Sequence, residues 1–266
     1  MKSIHTLALA LMIASPVIGG CDGSSGASPK KSYVLVHGAW MGAWCWDDVA
    51  AGLRAGGDTV ATVELPAHGA DQTPVADATL DAYVAKVAAA IDAAPQPVIL
   101  VGHSLGGVVV TEVAETAGAK IDRLVYVGAY MPKDGQTLND LASGDADSHL
   151  GPVLQIDQVN GVARIPSEDL EDIFIADGSS SEIASVVSNY RDEPLAPFLT
   201  PVHTTAAGWG TVSKAYVYTK EDHAVSLGLQ QMMTADVTLA ASATLDTSHA
   251  PFLSRPDLVI STLQGM

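Results

Sequence analysis

The run 97–110, PVILVGHSLGGVVV, sets a serine between two glycines as G-x-S-x-G, where an apolar stretch gives way to a helical pattern. So tight a turn presses the residues two before and two after the serine against the neighbouring strand and helix. Both must be small, and Gly102 and Gly106 meet that need. The turn also lifts the Ser104 hydroxyl to a helix N-terminus, where backbone N–H groups stabilise developing negative charge. That is the placement of a nucleophile for acyl transfer. A serine nucleophile needs a base, and the segment 245–253, LDTSHAPFL, offers His249 between the last predicted strand and the last predicted helix. The base in turn needs an acid to fix its tautomer and stabilise the imidazolium. Asp222, just past the apolar run 215–219, leads the candidates, with Asp134 and Glu221 as alternatives. Serine, then acid, then histidine is one of the chain orders in which such triads occur. Two backbone donors would hold an oxyanion. They are the N–H of Leu105, directly after the serine, and the N–H of Ala39, in the loop after the run 32–37.

Other reactive side chains read as structural. His37 stands before a glycine at a strand end and orients that loop, His103 points away from the serine in such a turn, and His223 is a solvated loop residue. Cys45, among Trp44 and Trp46, is a small buried thiol. Of Trp40, Trp44, Trp46 and Trp209, more belong to the core than to a pocket, though the group favours an apolar substrate. No Cys/His cluster falls at metal-ligand spacing, and the chemistry calls for no metal and no organic cofactor.

The elements that must position these groups are legible as a rhythm. Apolar runs at 32–37, 59–64, 97–102, 123–128, 215–219 and 237–240 read as buried parallel strands. Helical patterns at 46–55, 80–93, 105–117, 224–234 and 256–263 fall between them. Alternation of this kind predicts an α/β fold, a mostly parallel sheet of about six strands with helices on both faces. The rhythm breaks once, over about 133–210, where Gly, Ser, Asp and Pro accompany two short helical patterns, 167–175 and 181–190. We read that stretch as a small cap inserted into one α/β domain spanning 32–266.

The N-terminus reads differently. Residues 1–20 hold Lys2 and then a mostly apolar run, 7–18, too short for a spanning helix but suited to a secretory signal. Residues 18–21, IGGC, resemble the bacterial lipobox, whose cysteine is lipidated, and 21–31 is a Gly/Ser-rich tether. The expectation is an exported bacterial protein, lipid-anchored at the cell envelope through Cys21, or otherwise periplasmic or secreted. Cys45 would then have no disulfide partner, since the chain holds two cysteines. The 30 Asp and Glu against 13 Lys and Arg, a net charge of −17, argue against nucleic acid as a partner. Oligomeric state is not legible.

Several segments together resemble one branch of the α/β hydrolases, comprising hydroxynitrile lyases, plant methyl-ester esterases and bacterial carboxylesterases of the pyrethroid-hydrolase kind. They are YVLVHGAWMGAWCW at 33–46, LPAHG at 65–69, the GHSLGG elbow, LVYVGAYMP at 124–132, KED at 220–222 with Gln230, and Ser248-His249. The resemblance implies an α/β-hydrolase fold, a partly helical cap over an apolar pocket, Ser104, Asp222 and His249 as the triad, and Ala39 and Leu105 as oxyanion donors. It implies a serine carboxylesterase acting on small to medium apolar esters. Two other readings share the scaffold, a lyase and a non-catalytic binder. In the resembling lyases a threonine follows the first-strand histidine and a lysine follows the catalytic one, whereas this chain has Gly38 and Ala250. The cap matches little of the branch, so the acyl and alcohol pockets do not transfer.

Expression in a bacterium with working lipoprotein export, with a clickable fatty acid in the medium, should label the wild type on Cys21 and leave Cys21→Ser unlabelled. An unlabelled, freely soluble wild type would indicate an ordinary cleaved signal.

Overall fold

The structure, a computed structural model, describes residues 30–266. The expected leader, the tether as far as residue 29 and Cys21 lie outside the described residues.

Six strands form one sheet: β1 (Ser32–Val36), β2 (Thr59–Val63), β3 (Val98–His103), β4 (Ile121–Val127), β8 (Ser213–Thr219) and β9 (Ala241–Leu245). They lie in the order β2-β1-β3-β4-β8-β9, and every neighbouring pair is parallel. The central strands are Val-, Leu- and Ile-rich because both of their faces are covered, and β1 and β3 are buried along their whole length. Helices α1 (Asp47–Ala55), α2 (Leu80–Ala93) and α3 (Gly106–Ala117) follow the first three strands, and α9 (Leu227–Thr234), α10 (Pro251–Ser254) and α11 (Pro256–Gly265) follow the last two. Local chemistry sets their starts. Thr79 caps α2 by accepting from the Ala82 N–H, and Ser226 caps α9 by accepting from the Leu229 N–H. That cap explains why the helix begins at Leu227 and not at 224, where the apolar pattern alone places it.

The expected strand at 237–240 is corrected to 241–245. Residues 237–240 form the approach to the strand, with the Val237 N–H donated to Thr234 O and the Ala240 N–H to Lys214 O. β9 pairs only with β8, is half exposed in alternation and is made of small residues, so it lacks the continuous apolar run of a central strand.

Between β4 and β8 the chain builds the cap. It holds the short helices α4 (Leu138–Ala142), α5 (Leu150–Val153), α6 (Leu170–Phe174), α7 (Ser180–Asn189) and α8 (Ala196–Leu199). It also holds an antiparallel sheet of β5 (Gln155–Asp157), β6 (Val162–Arg164) and β7 (Glu193–Pro194). The sequence pattern shows only α6 and α7, because strands of two or three residues carry no usable period. Among the described residues no helix is long and apolar enough to cross a membrane.

Candidate active site

β3 ends in the turn that carries Ser104, whose φ of 52° lies in the left-handed region. For a side chain bearing a β-carbon that conformation costs about 1 kcal/mol or more, and it persists only where the surroundings leave no alternative. Here they do not. A Cβ on Gly102 would stand 2.6 Å from Gly106 O, and one on Gly106 would stand 2.7 Å from His37 O. The turn is closed because strand, helix and the β1 loop meet there without room for another carbon.

His249 sits after β9 in a buried loop, and its Nδ1 lies 2.8 Å from Asp222 Oδ2. Asp222, in the turn after β8, is saturated with donors. Its Oδ1 accepts from the Ala224 and Val225 N–H groups at 2.9 and 2.8 Å, and its Oδ2 accepts from the Thr219 hydroxyl at 2.6 Å. Gln230 locks that turn by donating from Nε2 to the carbonyls of Thr219 and Val225 and accepting from the Thr219 N–H. Gly128 leaves the space, since a Cβ there would stand 3.0 Å from Asp222 Oδ2. With the carboxylate on Nδ1, the imidazole keeps its hydrogen there and leaves Nε2 free as a base. The alternative acids stand elsewhere. Asp134 accepts from the Thr204 N–H and Glu221 pairs with Lys220, both at the surface.

His37 and His103 are wholly buried structural groups. His37 receives the Leu65 N–H on Nε2 and gives its Nδ1 hydrogen to Gly38 O. Burial holds its pKa down at about 3, so it stays neutral and ties the β1 loop to the end of β2. His103 bonds His249 O through Nε2, and burial keeps its pKa well below the usual histidine range. Cys45 is buried and its thiol pKa is pushed up by burial, which leaves an inert thiol.

The β1 loop holds a group that sequence reasoning missed. Trp40, next to Ala39, has φ 59°. Its N–H donates to Glu193 Oε2 at 2.9 Å, its indole N–H donates to Ala163 O at 3.0 Å, and its carbonyl accepts from the Arg191 N–H. Glu193 is fully buried and meets His68 Nε2 at 2.6 Å. Burial works against a charged His68, but the charge and hydrogen bond of Glu193 outweigh it and raise the pKa. A cap residue thus fixes the loop beside the candidate oxyanion donor. Among the described residues, the Ala39 and Leu105 amides donate to no protein group. The LPAHG segment at 65–69 carried His68 in plain view; its partner, 125 residues on, gave no signal.

Ser104, His249, Ala39 and Leu105 line one cavity under the cap. Apart from Asn139 and Tyr130, its remaining wall is apolar, with Trp40, Leu138, Leu150, Leu154, Phe174 and Phe198 among the contributors. Of the four tryptophans only Trp40 faces it. Trp46 packs in the core against Phe252, and Trp209 lies over the Lys214 ammonium and donates to the Tyr126 hydroxyl.

Comparison with known proteins follows the same outline. The alpha/beta hydrolase family profile matches residues 33–262. Methylesterase 9 of Arabidopsis thaliana is 28% identical over 85% of this chain and 94% of its own length. For five longer chloroplastic relatives from the same plant, 29–30% identical, the chain spans 54–69% of their length. An extracellular alpha/beta-hydrolase from a Paenibacillus species superposes with a TM-score of 0.78 at 25% identity, covering 88% of this chain and 98% of that one. A pyrethroid hydrolase from Sphingobium faniae JZ-2 reaches 0.81 at 22% identity, over 89% and 97%.

The His68–Glu193 pair yields a stability test. Glu193→Leu removes the partner that keeps buried His68 protonated and strands the Trp40 N–H, and should cost about 3–5 kcal/mol in urea unfolding at mildly acidic pH. The folded His68 pKa lies above its ordinary 6.5. The contribution is therefore complete below 6.5 and is lost as pH rises through the folded value, so the gap to wild type should narrow at alkaline pH. An unchanged unfolding midpoint would show that the pair contributes nothing.

Proposed function

Since the chain belongs to the alpha/beta hydrolase family, we propose that it is a serine carboxylesterase that takes small to medium apolar esters through an acyl-enzyme. One observation carries the reading: Ser104, at the strained turn, opens onto the same cavity as His249, whose far nitrogen is held by Asp222. In the reaction His249 Nε2 takes the Ser104 proton as the oxygen attacks the ester carbonyl. The oxyanion receives the Ala39 and Leu105 N–H groups. The imidazolium, stabilised by Asp222, protonates the leaving alcohol. Water, activated by His249, then releases the acid and returns the serine. The apolar wall disfavours charged substrates, since a buried unpaired charge costs several kcal/mol. The matched methylesterase supports methyl esters as the class to assay first.

The lyase reading loses support at two positions. A Cβ at Gly38 would stand 2.7 Å from Ser104 Cβ, so a threonine does not fit there without displacing the turn. Ala250 is fully buried and carries no charge to stabilise departing cyanide. A non-catalytic binder would have no use for a base fixed beside a strained hydroxyl.

Ser104→Ala should retain the fold and lose several orders of magnitude in turnover of p-nitrophenyl and methyl esters. Asp222→Asn should cost about 10⁴, and Asp134→Asn little. Near-normal turnover in Ser104→Ala would remove the nucleophile assignment, and the reverse ranking of the two aspartates would move the acid.

Assayed side by side with an ester, mandelonitrile should release no cyanide above the Ser104→Ala blank. Cyanide release without ester turnover would replace the esterase reading with a lyase.

A further inference from the structure

Three side chains outside the catalytic constellation converge on the rim of the cap. His149 precedes α5, Asp172 lies in α6, and His223 follows the candidate acid Asp222. His149 Nδ1 is 2.8 Å from Asp172 Oδ2, and His223 Nδ1 is 2.9 Å from Asp172 Oδ1. The two rings lie 4.0 Å apart between centroids, and one donor atom from each of the three residues falls within 4.8 Å of the others. The backbone holds the arrangement from below. The His149 N–H donates to His223 O at 2.8 Å, and the Ser148 hydroxyl donates to Ala224 O at 2.8 Å.

We propose that His149, Asp172 and His223 form a binding site for a divalent transition metal of the Zn²⁺ type, which ties the cap to the loop that carries Asp222. Two imidazole nitrogens with one carboxylate oxygen are a borderline-soft donor set that suits Zn²⁺ and its neighbours and is poor for Mg²⁺ or Ca²⁺. Zinc bonds of about 2.0–2.1 Å at tetrahedral angles put ligand atoms a little over 3 Å apart. The two imidazole–carboxylate distances, 2.8 Å to Oδ2 and 2.9 Å to Oδ1, need widen by about half an ångström, and the side chains are about half exposed at His149 and Asp172 and a third exposed at His223, free to turn one oxygen to the ion. That exposure gives the ion an entry path and leaves water for the remaining position. Without metal, each imidazole gives its Nδ1 hydrogen to the carboxylate. To ligate, each keeps a hydrogen on Nε2 alone and turns the Nδ1 lone pair to the ion. A net charge of −17 further raises the cation concentration around the molecule.

The position gives the ion leverage on the cavity. Leu150, Phe174 and Ala224 lie one or two residues from the three ligands, and all three line its wall. A bound ion would fasten these wall segments to one another from outside, without touching the reacting atoms.

The test is Zn²⁺ titrated into the untagged protein by calorimetry, with thermal unfolding in parallel. Wild type should bind one ion per chain at saturation, and Tm should rise with Zn²⁺ by mass action. Removing a ligand should weaken binding at least by the roughly tenfold that disturbing a ligand's own support costs. His149→Ala should show that loss, and His149→Ala/His223→Ala should lose both the binding step and the Tm rise while keeping the wild-type circular dichroism. Absence of saturable binding in the wild type, or the same isotherm and Tm rise in the double variant, would overturn the proposal. A double variant that lowers Tm while Zn²⁺ leaves the wild type unmoved would likewise overturn it, because the cluster would then be a hydrogen-bonded latch and no more.

Discussion

The space around the Ser104 α-carbon sets the terms for much of this molecule. A left-handed serine at the end of a buried parallel strand is unfavourable by itself, and the turn holds because the chain has been cleared on three sides. Gly38 clears the β1 loop, Gly102 clears the strand and Gly106 clears the helix; a Cβ on any of the three would stand 2.6–2.7 Å from its nearest neighbour. The order of the central strands follows from the same crowding. β1 and β4 flank β3, so the loop after β1 and the loop after β4 both open beside the serine. β8 follows β4 in the sheet, which brings the Asp222 turn within reach of His249.

A second set of constraints concerns charge kept away from water. Two buried imidazoles, His37 and His103, are held neutral by burial, while a third, His68, is pushed the other way by a buried carboxylate 2.6 Å away. The difference is one of partners. His37 and His103 bond to backbone groups that ask for no net charge, whereas Glu193 is fully buried and would be costly to leave alone. The ion pair at His68 is therefore weak evidence of net stability, but it is directional. It holds a carboxylate where it receives the Trp40 N–H, one residue from Ala39.

The legible parts of the molecule were those governed by local rules. The elbow was readable because the clash that demands Gly102 and Gly106 involves residues two positions from the serine. The central strands were readable because burial on both faces enforces an unbroken apolar run. β9 was misplaced by a few residues because an edge strand of Ala, Ser and Thr obeys no such rule, and the apolar stretch before it is only an approach. The sheet in the cap was invisible because strands of two or three residues are fixed by pairing and not by pattern. Glu193 and the His149, Asp172 and His223 group share a different reason. Their partners lie far off in sequence, and a buried glutamate or a loop histidine reads as ordinary until the fold brings its partner to it.

The contacts around Trp40 bear on how such a protein can be altered. Its amide is held by Glu193, its indole by Ala163 and its carbonyl by Arg191, all three of them cap residues. The cap is therefore not a lid laid over a finished site; it is one wall of the mould in which the β1 loop, with its candidate oxyanion donor, is cast. Exchanging caps between relatives to change substrate range would carry the selectivity wall across and leave the loop unsupported, unless the donor cap brought an acid, a carbonyl and an N–H to the same three atoms of the tryptophan. Cap and loop form one structural unit, and the joint for a modular exchange lies outside both.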